Sequence, residues 1–490
     1  MPGVVVTTAV RTGPSIANVT PSATFFIVGR TERGPEDKAV LVTSIADFEQ
    51  KYGGYVSYGH VHQSLQTYFE EGGSQAYVSR VTGASAAAGT ATLADGSAGT
   101  AITLTAVGSG TWSQYLKYQV VSAGAGFAIK LYLEQNSVDN LLYTTGECAS
   151  SAIAVNKINS SSLASSYVTA VVGSGGLDPA TASITAFSTG VDGGTPATSD
   201  YTDGLNLFLD TYGAGAVAIP GVVDGANNDT IWAALADHAN DNHRIALCAA
   251  EEDATASEMV NYAATYADAE NSEHMGFFYP WVQIERDPNV LEYISPEGYV
   301  AGKRALAQNN EGPWRPYAGL QSEGNFVLGL KTAISKAESD TLDEGRVNGL
   351  RVINGRVRIY GARTASNDET NFRYLTAQEM LNYVVVESQS SLEDLVFSTI
   401  DGRQTLFSEV RSRLVNLLDP IRVAGGLYEA FDNTGRRIDY GYTVVVNEAI
   451  NPVSQLAGGL IKAKVGIRVS SVGDQIEVAV TKSNLTASVV

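Results

Sequence analysis

The chain has 490 residues, 44% of them hydrophobic and 17% charged, enough length for more than one cored domain and too much apolar content for a disordered chain. A net charge of −20 excludes nucleic acid as an expected partner, because phosphate binding requires a basic footprint. Residues 350–490 hold 15 Lys/Arg against 15 Asp/Glu, so the whole negative balance falls in residues 1–349. An acidic body with a neutral, arginine-bearing end predicts two surroundings, solvent for one and a protein partner for the other.

In chain order, Val4-Val5-Val6-Thr7-Thr8 is strand-prone, and no core-sized element follows until Phe25. Residues 24–29 read as a buried strand and 39–43 as a second. Ser44, with Asp47 three residues on, caps a short helix that Gly53-Gly54 ends. Val61, Leu65, Tyr68 and Phe69 mark the apolar face of the next helix, closed by Gly72-Gly73, and residues 76–81 return as a strand. These elements form the first part of an α/β domain, residues 21–82.

At Gly83 the composition changes. Residues 83–200 are rich in Ala, Ser, Thr and Gly, carry only three basic residues, and alternate as strands over 101–107, 128–133 and 167–172. Trp112, Tyr115, Phe127, Tyr132 and Tyr143 supply core material, so the reading is an inserted β-rich peripheral domain. Gly193-Gly194-Thr195-Pro196 closes it.

From residue 201 to 349 the rhythm is helix, strand, helix, strand, which predicts a parallel, doubly wound sheet. Strands fall at 216–220, 244–249 and 275–284; Asp229 caps one helix, Thr255 with Glu258 forms a capping box on another, and Ser295-Pro296 starts a third. Residues 350–474 form a C-terminal α+β domain. Asn354-Gly355 turns a hairpin over 351–359, and Thr376 with Glu379 is expected to box the start of a long helix. A second long helix runs over 403–418, stopped by Pro420, with the stripe Leu406, Phe407, Val410, Leu414 and Leu417; Arg403, Arg411 and Arg413 project away from it. From Tyr440 the chain reads as strand, turn, strand, turn, strand, ending in residues 475–481 with Ile476, Val478 and Val480 on one face. A terminal strand so regular needs a backbone partner.

Little chemistry emerges. Gly298-Tyr299-Val300-Ala301-Gly302-Lys303-Arg304 is one residue short of a phosphate loop, has Arg where Ser or Thr would hold magnesium, and lies at a helix start, so it reads as helix packing. His60, His62, His238 and His243 recruit no third ligand, and all five histidines are expected to be solvated or capping. Asp237, Asp241 and Glu251-Glu252-Asp253 read as acidic surface, and no Gly-x-Ser-x-Gly elbow is present. Trp314 reads as a core residue on an irregular turn. No cofactor, metal or catalytic residue is expected. Cys148 and Cys248, the only two cysteines, are expected to be buried free thiols of a reducing compartment. No basic-then-apolar leader opens the chain and no stretch reaches membrane-span length, so the expectation is a cytoplasmically made protein without membrane insertion.

Several stretches, taken in order, resemble one family, the contractile tail sheath proteins of bacteriophages and related injection machines. They are Pro2-Gly3-Val4; residues 26–35 followed by 42–48; residues 68–81; Tyr279-Pro280-Trp281-Val282; Gly298-Tyr299-Val300-Ala301-Gly302; and Tyr360-Gly361-Ala362-Arg363-Thr364 followed by Phe372-Arg373-Tyr374-Leu375. After Val396-Phe397 the chain departs, with Ser398-Thr399-Ile400-Asp401-Gly402 where the family has an acidic-proline-asparagine turn. Residues 83–200 match no part of the family pattern.

The resemblance implies a structural subunit, not an enzyme. Copies would polymerise helically around an inner tail tube and contract on a baseplate signal to drive the tube through an envelope. It also implies linking arms at both ends, residues 1–20 with Val4, Val5 and Val6 and residues 475–490 with Ile476, Val478 and Val480. Each arm would add a strand to a neighbour's sheet. Arg403, Arg411 and Arg413 become candidates for facing the tube. The implied partners are other copies of the chain, the inner tail tube protein, and baseplate and tail terminator proteins; the implied place is a virion tail assembled in the host bacterial cytoplasm. A phage-derived bacteriocin or an extracellular injection system is the alternative setting. An α/β hydrolase-like enzyme with a β-rich accessory domain is the alternative from another class, and would need a polar constellation at the strand ends. A third reading, an adhesin or surface-layer protein, rests on the Ser/Thr/Gly-rich stretch.

Overall fold

The computed structural model describes residues 23–175, 177–222 and 228–474. The chain divides into two compact units, residues 1–383 and 384–490.

The first unit is built on strand β1 (Thr24–Gly29), six consecutive buried residues. β2 (Val40–Val42), α1 (Ile45–Tyr52), α2 (Val61–Glu70) and β3 (Ala76–Arg80) follow. The Ser44 hydroxyl accepts the Asp47 N–H at the start of α1, and Gly53, at φ 86°, ends it, as the spacing predicts. β3 pairs with β1 in parallel, and β2 closes that edge antiparallel.

Residues 83–194 form a β-rich body. β4 (Thr90–Ala94), β5 (Thr100–Ala106), β6 (Leu116–Ala123), β7 (Gly126–Gln135), β8 (Val138–Thr144), α3 (Ser151–Ser160), β9 (Val168–Val172) and β10 (Ala182–Ala186) follow in order. They make two antiparallel sheets, β4-β5-β9 and β10-β6-β7-β8. A separate core holds Trp112, Phe127, Ile129, Leu104 and Ile158. Of the expected core aromatics, Tyr115 is instead 45% exposed and Tyr132 half-buried. Alternation along a strand assigns a face but not which face meets the second sheet.

Two arginines clasp this body to the sheet domain. Arg80 donates to the Ser109 carbonyl (2.8 Å) and pairs with Glu36 at 2.5 Å, while Glu36 accepts the Ser109 N–H at 2.7 Å. Arg33 stacks on Tyr167, 4.2 Å from its ring centroid, and donates to its hydroxyl. The Gly194 N–H donates to the Ala84 carbonyl at 3.1 Å, so the chain leaves and re-enters the sheet domain at adjacent points.

α4 (Thr198–Asn206), β11 (Gly215–Ala218), α5 (Asn228–Asp241), β12 (Arg244–Cys248), α6 (Ala256–Tyr266) and β13 (Met275–Tyr279) extend the sheet on the far side of β1. The expected strand over 275–284 is broken. Pro280, after a cis peptide bond, lacks the N–H that a central ladder needs. Its second half, β14 (Val282–Asp287), pairs instead with β15 (Val290–Ile294). α7 (Glu297–Asn310), β16 (Gly329–Leu330), α8 (Lys336–Glu344), β17 (Val347–Ile353), β18 (Arg356–Ile359) and α9 (Leu375–Leu392) complete the unit. The β17–β18 turn has Asn354 and Gly355 at φ 55° and 76°, the left-handed pair an Asn-Gly hairpin requires.

The eight-stranded order is β18-β17-β13-β12-β11-β1-β3-β2, parallel within and antiparallel at both edges. Alternate residues of β1 feed two cores: Phe25 and Ile27 join α1, α2 and α7, whereas Phe26 and Val28 join α4, α5 and α6. That is the two-faced covering a parallel sheet needs. The boundary expected between residues 349 and 350 falls inside β17, which pairs with β13 through Gly349 and with β18 from Leu350. The two compact units instead divide inside α9.

Within the second unit, α10 (Thr405–Val423) runs through Pro420 where a stop was expected. Proline in the last turn removes a single intrahelical bond, and the Ala424 N–H still donates to the Pro420 carbonyl at 2.9 Å. β19 (Ala430–Phe431) and β20 (Arg437–Asp439) form a short hairpin. β21 (Tyr442–Val445), a one-turn helix α11 (Val453–Leu456) and β22 (Lys464–Ile467) follow, with β21 and β22 antiparallel.

Candidate assembly surfaces and buried polar locks

The α10 stripe is buried as Leu406, Phe407, Val410, Leu414, Leu418 and Ile421, with Leu418 replacing the expected Leu417. Leu406, Val410 and Leu414 pack with Val444, Val446 and Ile461, which holds the β21–β22 sheet against α10. Among the described residues that sheet has only two strands, a size that is marginal alone in water. Val4, Val5, Val6, Ile476, Val478 and Val480, the expected arm residues, lie outside the described residues.

The three expected surface arginines are not equivalent. Arg403 and Arg411 are exposed and form no salt bridge with another described residue. Arg413 is half-buried: it pairs with both carboxylate oxygens of Asp394, reaches Glu409 at 3.1 Å, and donates to the Ser391 carbonyl at 2.7 Å. Its guanidinium holds the Asp394 carboxyl below the usual aspartate range. The unit also exposes apolar bulk, with Phe397 fully exposed at φ 67° and Val423, Tyr428 and Ile438 more than half exposed.

In the first unit, helix packing brings together charges the sequence does not reveal. Gly298 and Gly302, four residues apart, let α7 lie directly on α2. A Cβ at Gly302 would stand 2.8 Å from the Tyr68 carbonyl oxygen, and one at Gly298 would collide with the backbone of Ser64. That confirms the packing reading of the 298–304 stretch and leaves its two cations buried. Lys303 Nζ meets Glu71 Oε2 at 2.6 Å, with both side chains at most 1% exposed. Glu71 Oε1 also accepts the N–H groups of Asn325, Phe326 and Val327 at 2.8–3.0 Å. Arg304 Nε meets Glu379 at 2.9 Å, and Gln308 donates to the same carboxylate. Glu379 is therefore a buried ion-pair partner, not the capping residue expected, and Thr376 lies inside α9. A capping box and a buried pair share the same residue spacing; only packing separates them.

Three of the five histidines, His60, His238 and His274, depart from the solvated reading; the Nδ1 of His60 is shut from solvent. His238 is 9% exposed with Nε2 2.7 Å from Arg244 Nη1, and burial beside that cation pushes it down to about 3. His274 is 4% exposed, between the Arg244 carbonyl at 3.0 Å and Gln378 at 2.9 Å. Arg244 itself is fully buried, its guanidinium carbon 3.7 Å from the Phe26 ring centroid, donating to the Phe208, Leu209 and Gly213 carbonyls. The acidic groups are surface contacts: Glu251 accepts from Tyr262, and Lys331 pairs with Glu252 and Asp253. Among the described residues no cluster of potential ligands fits a metal ion, and no helix is long and apolar enough to cross a membrane. Trp314, expected in the core, is half-buried; the aromatic in that core is Tyr317, at 1% exposure. Cys148 and Cys248 are both buried free thiols.

No protein-family model matches the chain, and no curated protein sequence matches it. Among solved structures, the helical sheath of the anti-feeding prophage in its contracted state is similar at a TM-score of 0.56 and 14% identity, covering 98% of this chain and 99% of that one. A sheath tail protein from Listeria innocua is similar at a TM-score of 0.60 and 16% identity, over 87% of this chain and 89% of that one. The sheath of the extracellular contractile injection system PVC, also contracted, gives a TM-score of 0.53 at 16% identity, over 99% and 98%. The chain has the multidomain α/β fold of contractile sheath proteins.

Proposed function

We propose that this chain is a structural subunit of a contractile sheath, polymerising helically around an inner tube and shortening to drive that tube through a target envelope. The observation that carries this reading is the end-to-end likeness: the anti-feeding prophage sheath is matched over 98% of this chain, including the small second unit. The sequence motifs agree in order with it, and the split between an acidic body and a neutral C-terminal part suits a subunit with one solvent face and one protein face. Contraction then releases free energy as subunits bury further mutual surface, without a nucleotide.

The thin β21–β22 sheet supports a role for the arms. Strands supplied by a neighbour, from Val4, Val5 and Val6 or from Ile476, Val478 and Val480, would satisfy the edges that are unpaired among the described residues. Such contacts are heterologous, so a screw operation continues them into an open helix. Arg403 and Arg411 are the stronger tube-facing candidates, because Arg413 is already neutralised by Asp394 and Glu409. Inner tube, baseplate and tail terminator proteins are the partners of this reading, and a virion tail assembled in a bacterial cytoplasm is its place.

An extracellular injection system is the second reading. The likeness to the anti-feeding prophage and PVC sheaths covers 98–99% of this chain, whereas that to the Listeria sheath tail protein covers 87%. Negative-stain microscopy of the expressed full chain tests the proposal: tubes or stacked rings are expected, and a strictly monomeric particle at all concentrations would falsify it. Host-envelope puncture with or without DNA delivery separates the two settings.

A further inference from the structure

β1 is the strand at which the sheet reverses direction of growth, with β3 on one side and β11 on the other. In doubly wound sheets the crevice beyond the carboxyl ends of such strands is where ligands bind. Here that crevice is a cavity of about 220 Å³, lined by Arg30 just after β1, Pro220 and Gly221 after β11, and Tyr58, His60 and Tyr201. Among the described residues no carboxylate lines it, although the chain carries a charge of −20.

Arg30 is the one full cation among its described lining residues. The guanidinium carbon stands 4.3 Å from the Tyr58 ring centroid, and Arg30 forms no salt bridge with another described residue. Its charge also acts on the Tyr201 hydroxyl. The carboxylates whose charges reach Tyr58 are engaged elsewhere: Glu32 accepts the Gly54 N–H at 2.8 Å, and Asp192 accepts the N–H and hydroxyl of Thr111, each at 2.8 Å. Burial raises both tyrosines, so each keeps an O–H to donate. Burial lowers His60 against the opposing charges of Glu292 and Glu252, which favours the neutral ring, and its Nδ1 is shut from solvent with no hydrogen-bond partner among the described residues. A cation without a counter-ion among the described residues, two phenolic donors and a ring nitrogen with no described partner line one polar hollow, and together they form a recognition set for an anion.

We propose that this cavity binds a small oxyanion of phosphate type, with Arg30 as its cation and Tyr58, Tyr201 and His60 as its hydrogen-bonding walls. Its volume is below the range of about 300–1,000 Å³ typical of pockets for drug-sized ligands, so the ligand is an inorganic or small organic oxyanion and not a nucleotide. Binding there joins the segments that follow β1 and β11, and so stabilises the subunit by mass action. This is independent of the sheath reading.

The test is isothermal titration of the full chain with inorganic phosphate at constant ionic strength, paired with melting temperature at each phosphate concentration. Saturable binding and a rising melting temperature are expected for the wild type. Arg30→Gln, which breaks no salt bridge among the described residues, should weaken phosphate affinity by about ten-fold or more, the loss of one charge-assisted hydrogen bond. Tyr201→Phe, which keeps the ring and removes only the hydroxyl, is the second variant and decides alone if Arg30→Gln fails to fold. Absence of saturable phosphate binding by the wild type, or wild-type affinity in the folded variants, overturns the assignment.

Discussion

Lys303 on α7 and Glu71 beyond the end of α2 form a 2.6 Å ion pair in which neither charge is reached by solvent. The carboxylate is also held by three backbone N–H groups of residues 325–327, so the pair ties two helices and a loop together. Burying two charges costs several kcal/mol each, recovered only with close geometry and further hydrogen bonds, which here are the three backbone N–H groups on the carboxylate. Removing one partner strands the other. Glu71→Gln and Lys303→Met should each lower unfolding free energy by about 3–5 kcal/mol. Urea titration of the purified subunit measures this; a change below 1 kcal/mol in both variants would show the pair to be dispensable.

The close approach of α7 to α2 makes a second, steric prediction. Gly302→Ala places a methyl 2.8 Å from the Tyr68 carbonyl oxygen, and Gly298→Ala drives one into the Ser64 backbone. Each should destabilise by about 1–3 kcal/mol, because neither helix can retreat without opening its own core. Gly402→Ala, with nothing within 4 Å of the added carbon, is the control and should be neutral or slightly stabilising. Equal melting temperatures across the three variants would contradict the packing argument.

Stability should fall on the alkaline side through Glu297. Its carboxyl is 2% exposed, has the Ser295 hydroxyl as donor, and is pushed up to about 7 by burial. An unfolded glutamate ionises near 4.5, so between pH 4.5 and 7 the folded state keeps a proton that the unfolded state has released. Stability contributed by this group is therefore lost as pH rises through that window, by on the order of 3 kcal/mol once ionised. Glu297→Gln should be more stable than the wild type at pH 8 and should converge with it near pH 4.5. His238 acts at the acid end. It is neutral in the fold down to about 3, so from 6.5 downward the unfolded state gains the proton and stability falls. Melting temperatures of wild type and Glu297→Gln from pH 4 to 8 check both; parallel curves would refute the glutamate assignment.

Excising the β-rich body should leave a subunit that still folds and assembles. Its ends meet at Ala84 and Gly194, so replacing residues 85–193 by a short turn closes the chain without moving β3 or α4. The cost lies in the clasp: Arg80 loses the Ser109 carbonyl and Arg33 loses Tyr167. A drop in stability of about 1–3 kcal/mol is expected. Microscopy and a melting curve on the excised protein check this, and a folded variant unable to form tubes would mean that the body takes part in assembly.

Much of this organisation was legible in the residues. Strand β1, the Ser44 cap, the Thr255–Glu258 box, the Asn354-Gly355 hairpin and the α10 stripe are local signals, each set by a few neighbouring side chains and their preferred dihedrals. The 298–304 stretch is also legible as packing, because it is one residue short of a phosphate loop and has Arg where Ser or Thr would hold magnesium. What the sequence could not show were relations between residues far apart in the chain. Thr376 and Glu379 have the spacing of a cap, yet Glu379 turns inward to meet Arg304, 75 positions earlier, inside the core. His238 looked solvated until Arg244 and Phe208 closed around it.

The sequence by itself therefore determined the elements, their apolar faces and the split between acidic body and neutral end, since propensity, capping and charge are carried by each short stretch. Only the tertiary structure decided which charges are buried, that the strand expected over 275–284 breaks into two sheets, and that the compact units part inside α9, not at residue 350. Burial is a property of what a side chain meets across the fold, and a partner more than 200 residues away, as Lys303 is for Glu71, leaves no local signature.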